Sequence, residues 1–558
     1  MILLSHSISQ CMFKKIITNS LLVALFATGC KSQNSSSSSS ATNTTSISNR
    51  IVVNRDISIN KDNAYNDIFL DSAAVENFIA QEKLDDTLSA AIRSFYNVRN
   101  FEYSWFTSTG LIEQAFSFHS LCCTDNEKDV FNKFLEKRLD KLRIPDDSTV
   151  TIDPKDANTV KTELQITEKF IQYAMENYKG KDISAAELGT YIPTKKATIL
   201  ALADSVLANN DGNKNYAGIN ESFRLLKESL KQYTTIANSG GWSAIVADKK
   251  KYSLGDSGPG IALIKKRLQI TGELAGSDSS GSFSPELQNA VKTYQLTHGY
   301  KPTGEVTAEL IKDMNTPALT RVEQLLINMQ RMRWMPANIT GRLIVVNIPE
   351  FELYMDSAKT ILFQMDVVVG AEGHNTTMFS GNLNQIVFSP YWNVPPSIVK
   401  KEILPGIKRN KNYLDEKDME ITGEEGGLPV VRQLPGPKNS LGKVKFLFPN
   451  SYDIYLHDTP EKGLFKRSIR DLSHGCIRLS DPVKLANYLL ENSPVWTPEK
   501  QDSAMNSGVE QFVKLKNTVP VIITYYTAWV DDKGILHFAD DIYGHDTKMA
   551  AKMFSNPQ

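Results

Sequence analysis

Residues 451–482 read SYDIYLHDTPEKGLFKRSIRDLSHGCIRLSDP. Tyr452, Ile454 and Leu456 alternate with Asp453, Tyr455 and His457, as the two faces of a strand do. Asp458-Thr459-Pro460 then reads as a turn. Farther on, Asp481 can cap a helix with Pro482 at its first position, where a missing N–H costs nothing. That helix continues through Leu485, Tyr488 and Leu489. Cys476 therefore lies beside a glycine, between a strand that ends in histidine and a helix. A cysteine nucleophile needs a base within hydrogen-bond reach and a positive surrounding. At a pKa near ~8.5 only a few per cent of a free thiol is ionised at neutral pH. His457 can take the proton, and Arg467, Arg470 and Arg478 are expected to favour thiolate. Gly475 lets backbone approach a reacting carbonyl, so the N–H groups of Gly475 and Cys476 are candidates for an oxyanion site.

Strands surround this stretch. Leu343–Ile348 is an apolar run, Phe351–Met355 alternates, and Ile361–Val369 and Gln385–Phe388 continue the pattern. Val521–Val530, the turn Asp531–Gly534 and Ile535–Phe538 read as a hairpin. Lys400–Lys443 is charged, rich in Gly and Pro, and without a strong period, which suggests a lid or insertion. Upstream, 64–250 is mostly helical: Ala74–Ile79, Leu88–Phe95 and Ile166–Met175 carry apolar residues three and four apart. Asn209–Asn215 reads as a polar loop. Cys122 and Cys123 are adjacent, so they suit neither an unstrained disulfide nor metal spacing, and His119 beside them reads as a packing residue.

At 558 residues the chain is long enough for three or four domains of ordinary size. Its 62 Lys+Arg against 63 Asp+Glu exclude a charge-driven hold on nucleic acid or an anionic membrane. Five cysteines cannot staple a chain of this length. Lys14-Lys15, the short apolar run Ile16–Ala27 and Thr28-Gly29-Cys30 have the form of a secretory leader. A serine-rich tether, 30–63, follows, and its tract from Ser32 to Ser48 has almost no apolar surface to bury.

Three resemblances follow from these residues. His457, 15 intervening residues and then Ser473-His474-Gly475-Cys476-Ile477-Arg478 resemble the signature of YkuD-type L,D-transpeptidases. Arg331–Pro336 resembles the segment that opens the catalytic domain in the large, scaffold-bearing branch of that family, and Ser389–Ile398, Asn439–Asp458 and Tyr525–Asp546 also resemble that branch. Residues 251–316, with Leu254–Gly258, Gly281–Pro285, Gly299-Tyr300 and Thr303–Thr307, resemble the three-helix type 1 peptidoglycan-binding domain. The alternative for that segment is a small bundle that only positions its neighbours. Thr28-Gly29-Cys30 resembles a bacterial lipobox, in which Cys30 carries the lipid; Ala27 stands where the pattern usually has leucine.

The resemblance implies an α+β multidomain protein: leader 1–29, tether 30–63, helical scaffold 64–250, small domain 251–316, and a mostly β catalytic domain 340–546 with a lid at about 400–443. It implies a bacterial envelope enzyme anchored to a membrane through N-terminal lipid, with its catalytic domain in the periplasm. Peptidoglycan stem peptides would be its partners, with no nucleic acid, no cofactor and no metal. Cys476 would attack the carbonyl of the third residue of a stem tetrapeptide, releasing D-alanine. An amine of a neighbouring stem would resolve the thioester into a 3→3 cross-link. His457 would be base and then acid, oriented by a backbone carbonyl. Ser473, His474, Gly475 and Arg478 would frame the oxyanion or bind substrate, with Arg470 a further partner for carboxylate. His474 reads equally as a turn residue, Arg478 as a loop-fixing arginine, and Tyr391 and Trp392 as core or groove. Two alternatives stay open: hydrolysis by the same cysteine, and a non-catalytic wall-binding lipoprotein.

Overall fold

The computed structural model describes residues 52–124, 135, 138–139, 151–179, 184–208, 221–335, 341–357, 360–450 and 452–555. Cys30, the leader, most of the tether and the loop at 209–215 lie outside them, as does the side chain of Cys123. Cys122 is buried and is not in a disulfide.

The helical part starts with α1 (Ser72–Glu82) and α2 (Asp86–Asn97), each capped by the aspartate before it. A two-residue ribbon, β1 (Phe106–Thr107) with β2 (Gly110–Leu111), leads into α3 (Glu113–Thr124). Then come α4 (Ala157–Ala174), α5 (Ala185–Tyr191), α6 (Ile199–Ala208) and α7 (Glu221–Asn238). Ser184 and Glu187 close a capping box on α5.

The small domain pairs β3 (Lys251–Tyr252) with β4 (Val306–Thr307). Its helices α8 (Pro259–Thr271), α9 (Pro285–Thr297) and α10 (Ala308–Met314) enclose Tyr252, Ile261, Leu268, Leu287, Val291 and Leu310. Ile245 belongs to this core too, so the small domain begins before residue 251. It is docked rather than hung on a linker. Tyr294 and Arg321 both bond the Asp313 carboxylate, at 2.8 and 2.5 Å, and Lys301 donates to the Lys466 carbonyl at 2.7 Å.

The next helix, α11 (Ala318–Met332), runs back into the helical core. Trp334 stands 5.3–6.3 Å from the rings of Trp105, Phe118, Phe170 and Tyr191. Arg331 pairs with Glu113 at 2.8 Å and with Asp546 at 2.5 Å. The segment read as opening the catalytic domain therefore completes the scaffold. A motif can mark a boundary in sequence while its side chains pack on the other side of it.

In the β part, β5 (Arg342–Asn347), β6 (Glu352–Ser357), β7 (Thr360–Gly370) and β8 (Phe379–Phe388) precede the insertion, which β9 (Trp392–Asn393) opens. A helical stretch from Pro396 ends in α12 (Leu404–Arg409), and β10 (Met419–Glu425) and β11 (Leu428–Gln433) form a hairpin paired to β9. This lid is not the periodless loop that its composition suggests. Val394, Ile398, Val399, Ile403, Met419 and Val431 give it a core of its own.

After the lid come β12 (Val444–Leu447), β13 (Leu456–His457), β14 (Asp471–Ser473), β15 (Ile477–Leu479), α13 (Pro482–Leu489), α14 (Pro498–Met505) and β16 (Gln511–Thr524). The order β7-β15-β13-β12-β8-β16-β5-β6 closes on itself through β6–β7 pairing, and β14 joins β7 as a branch. Closure removes the open edges of the sheet. The predicted strand at 521–530 breaks after Thr524. β17 (Ala528–Val530) pairs with β18 (Leu536–Phe538) alone, and their residues enter the scaffold core together with α15 (His545–Met553).

Candidate active site

Register brings the site together. β13 lies between β12 and β15, so His457 has Lys445 opposite on one side and Arg478 on the other. Cross-strand partners share a face. Burial, then the nearby Arg478 guanidinium, hold the imidazole down at about 3, and it is neutral at physiological pH. His457 Nδ1 lies 2.5 Å from the Asp458 carbonyl oxygen. A carbonyl only accepts, so Nδ1 carries the proton and Nε2 keeps its lone pair. The Asp458 carboxylate in turn accepts from Lys443 N at 2.8 Å and Lys462 Nζ at 2.7 Å. It lies so close to Gly442 that an added Cβ would collide with it.

The loop from β14 to β15 carries the thiol. Ser473 Oγ donates to the Cys476 carbonyl at 2.6 Å and accepts from Gly475 N at 3.1 Å. Gly475 has φ +111°, which strains any residue with a side chain. Thr376 Oγ1 donates to the Gly475 carbonyl at 2.8 Å and accepts from Gly370 N at 2.9 Å. Since Gly475 N–H is committed to Ser473, the Cys476 N–H is left as the candidate oxyanion donor of the pair read from sequence.

The thiol itself is half-buried. Sγ donates to the Asp453 carbonyl at 3.5 Å, and the Tyr455 hydroxyl bonds both Cys476 and the Trp392 side chain. Burial pushes the thiol up to about 11, against the smaller pull of Tyr455 and Arg478. The expectation that three arginines favour thiolate fails for a geometric reason. Arg470 is buried away from the sulfur, donating to the Val367 and Phe351 carbonyls at 3.1 and 2.9 Å and pairing with Asp366 at 2.7 Å. Arg467 is exposed. Arg478 alone lines the site, and Glu461 holds it at 2.5 Å. Its Nε has no partner among the described residues. At rest the thiol and the imidazole are both neutral, and both line the same cavity.

His474 points from the nucleophile loop to the lid, with Nε2 2.7 Å from Glu402 and its ring 5.2 Å from that of His374. It is exposed. No group of three or more His, Cys, Asp or Glu among the described residues is placed to hold a metal ion.

His457, Cys476 and Arg478 open on a cavity of about 2060 Å³. Trp392 and Glu402 of the lid line it, as do α3, the β1–β2 ribbon and α15. Sequence reading placed Tyr455 and Asp453 on the His457 face but gave them no role. In the structure the strand spans only Leu456–His457, and Asp453 has φ +55°. Thr376 and Glu402 reach the site from 99 and 72 positions away along the chain, and α15 comes from beyond it; only tertiary packing reveals them.

Residues 341–497 match the YkuD family of L,D-transpeptidase catalytic domains. Residues 90–236 match the Scaffold domain, and 257–314 match the "Putative peptidoglycan binding domain". A Haemophilus influenzae protein named "Putative L,D-transpeptidase" is 32% identical over 243 residues. The alignment covers 41% of this chain and 49% of the relative, so the chain spans about half the length of the curated protein it matches. Among solved structures, an L,D-transpeptidase from Stackebrandtia nassauensis aligns at 13% identity and TM-score 0.20, over 50% of this chain and 97% of that one. One from Mycobacterium smegmatis aligns at 13% identity and TM-score 0.19, over 33% and 59%. Residues 341–497, which carry His457, Cys476 and Arg478, thus match a YkuD L,D-transpeptidase catalytic domain, and they follow residues that match a Scaffold domain and a peptidoglycan-binding domain.

Proposed function

We propose that the chain is an L,D-transpeptidase that forms 3→3 cross-links between peptidoglycan stem peptides through a thioester on Cys476. The observation that carries this is the His457 tautomer: with Nδ1–H on the Asp458 carbonyl, Nε2 is a base that opens on the same cavity as the thiol. Nε2 takes the thiol proton as Sγ attacks the carbonyl of the third residue of a tetrapeptide. Because thiol and imidazole are both neutral at rest, proton transfer accompanies the attack. The Cys476 N–H steadies the oxyanion. Collapse breaks the peptide bond, His457 returns the proton to the leaving amine, and D-alanine departs. The acceptor amine then attacks the thioester, giving its proton to His457, and the thiol is restored. Arg478 exchanges the exposed Glu461 for a substrate carboxylate, and Ser473 and Gly475 fix the loop.

In the same reading, residues 251–316 bind peptidoglycan, and Cys30 carries a lipid that holds the enzyme to a bacterial membrane with the catalytic domain in the periplasm. The test is to incubate purified protein with disaccharide tetrapeptides and weigh the products. A dimer lighter by one D-alanine, absent with Cys476→Ala, is expected. Tripeptide alone, even at high acceptor concentration, replaces transfer by hydrolysis. For the anchor, a palmitate analogue should label the wild type and not Cys30→Ser; equal labelling removes it.

A further inference from the structure

The cavity is larger than one peptide requires. Single-ligand pockets run to roughly 300–1,000 Å³, against about 2060 Å³ here. Cys476, His457 and Arg478 line it. So do α3 and one face of α15, the latter through His545, Lys548, Met549 and Lys552. Met549 also belongs to the scaffold core, so this face is held in place by packing.

Lys552 is the unexplained group on that wall. Its ammonium makes no hydrogen bond and no ion pair among the described residues, although it is half-buried. The two carboxylates whose fields reach it, Glu113 and Asp67, are committed elsewhere. Glu113 bonds Arg331 through both oxygens, at 2.8 and 3.4 Å. Asp67 accepts from the backbone N of Ser108 at 2.9 Å and from the Ser108 hydroxyl. Desolvation holds the Lys552 ammonium down at about 8, below its ordinary value. A buried charge without a partner is costly to keep. A carboxylate arriving in the cavity would remove that cost, and the exposed Lys548, one helical turn away on the same face, adds to the attraction.

We infer that Lys552, assisted by Lys548, is the anion-binding element of a second peptide subsite on the α15 wall, and that its ligand is a carboxylate of the acceptor stem peptide. This rests on the transfer reaction proposed above. Transfer needs two peptides at once, and the donor carbonyl must lie at Cys476, so the second chain needs a hold elsewhere on the lining, where the unpartnered Lys552 stands.

Two measurements separate this subsite from that reaction. In a Cys476→Ala background, which cannot form the thioester, binding of a stem tripeptide is followed by calorimetry. Lys552→Met, which keeps the stem and removes the charge, should weaken it about tenfold or more, as expected for a lost charge-assisted hydrogen bond. Lys552→Arg should restore most of the affinity, and a tripeptide with amidated carboxylates should bind both forms alike. With the active cysteine, Lys552→Met should raise the KM for acceptor by a similar factor while kcat at saturation changes little. Tripeptide affinity unchanged in Lys552→Met, or lost equally for the amidated peptide, overturns the subsite whether or not cross-links form. Normal binding behaviour with no cross-linked product overturns the transfer reading and leaves the subsite standing.

Discussion

One cluster of buried ionisable groups in the scaffold invites comparison with one in the catalytic domain. In the scaffold, Glu163 accepts from Ser104 N at 2.6 Å, Trp105 N at 3.0 Å and the Tyr96 hydroxyl at 2.9 Å. Arg99 donates to the Phe95 and Ile192 carbonyls, and Glu102 accepts from Asn66 N. Burial raises Glu163 to about 7 and Glu102 to about 8. In the catalytic domain burial moves His457 and Cys476 about as far. Displaced proton affinity therefore does not distinguish them. Access does: Cys476, His457 and Arg478 line the cavity, and none of the scaffold group does. A buried charge network tied into aromatic packing is structural, and one that faces open volume can do chemistry.

The sharpest way to break this contrast is to delete one centre from each cluster. Cys476→Ala should abolish thioester formation, seen as a missing mass adduct, and leave thermal unfolding almost unchanged. His457→Gln should slow acylation by about 10²–10⁴-fold, the usual range for a lost general base. Glu163→Ala should do the reverse. It strands two backbone N–H groups in the core, each costing about 1–3 kcal/mol, while the Tyr96 hydroxyl keeps Thr167. Stability should fall by about 3 kcal/mol or more in urea unfolding, while the folded fraction still acylates. A Glu163→Ala protein with native stability would show that the scaffold cluster is not a structural network.

The candidate site was legible in the sequence and its electrostatics were not. The spacing of His457 and Cys476, the turn after His457 and the cap at Asp481 are local features, and local features survive as written: Asp481 accepts from Lys484 N at 3.1 Å. Thiolate stabilisation was inferred from the crowding of Arg467, Arg470 and Arg478 along the chain. Direction from the backbone decides that question, and Arg470 points between strands. Trp334 was misplaced for a similar reason, because the core it fills is assembled from distant segments, those of Trp105 and Phe170 among them. The lid's composition concealed its fold because six apolar residues suffice for its core.

The two clusters should also pull stability in opposite directions with pH. The scaffold carboxyls have raised values in the folded chain. Their contribution is complete below their ordinary value of 4.5 and is lost as pH rises through about 7 and 8. His457 is depressed in the folded chain. Its contribution is present above 6.5 and is lost as pH falls through about 3. Urea unfolding from pH 3 to 9 should therefore show Glu163→Gln flattening the neutral-to-alkaline limb and His457→Gln flattening the acid limb. An unchanged alkaline limb in Glu163→Gln would assign that slope to other groups.

The smallest effect belongs to the contact between the nucleophile loop and the lid. His474 and Glu402 are 2.7 Å apart, with side chains 42% and 49% exposed. Solvent screens such a pair, and exposed pairs contribute roughly 0.2–1 kcal/mol. Neither end is held by the aromatic packing that fixes the scaffold cluster. Glu402→Gln should thus change unfolding free energy by at most about 0.5 kcal/mol after screening is allowed for. The difference from wild type should shrink further in ~1 M salt, where the Debye length falls to about 3 Å. A loss of the size expected for Glu163→Ala would mean that the lid is fixed through this pair, and that exposure does not separate the two regions as argued.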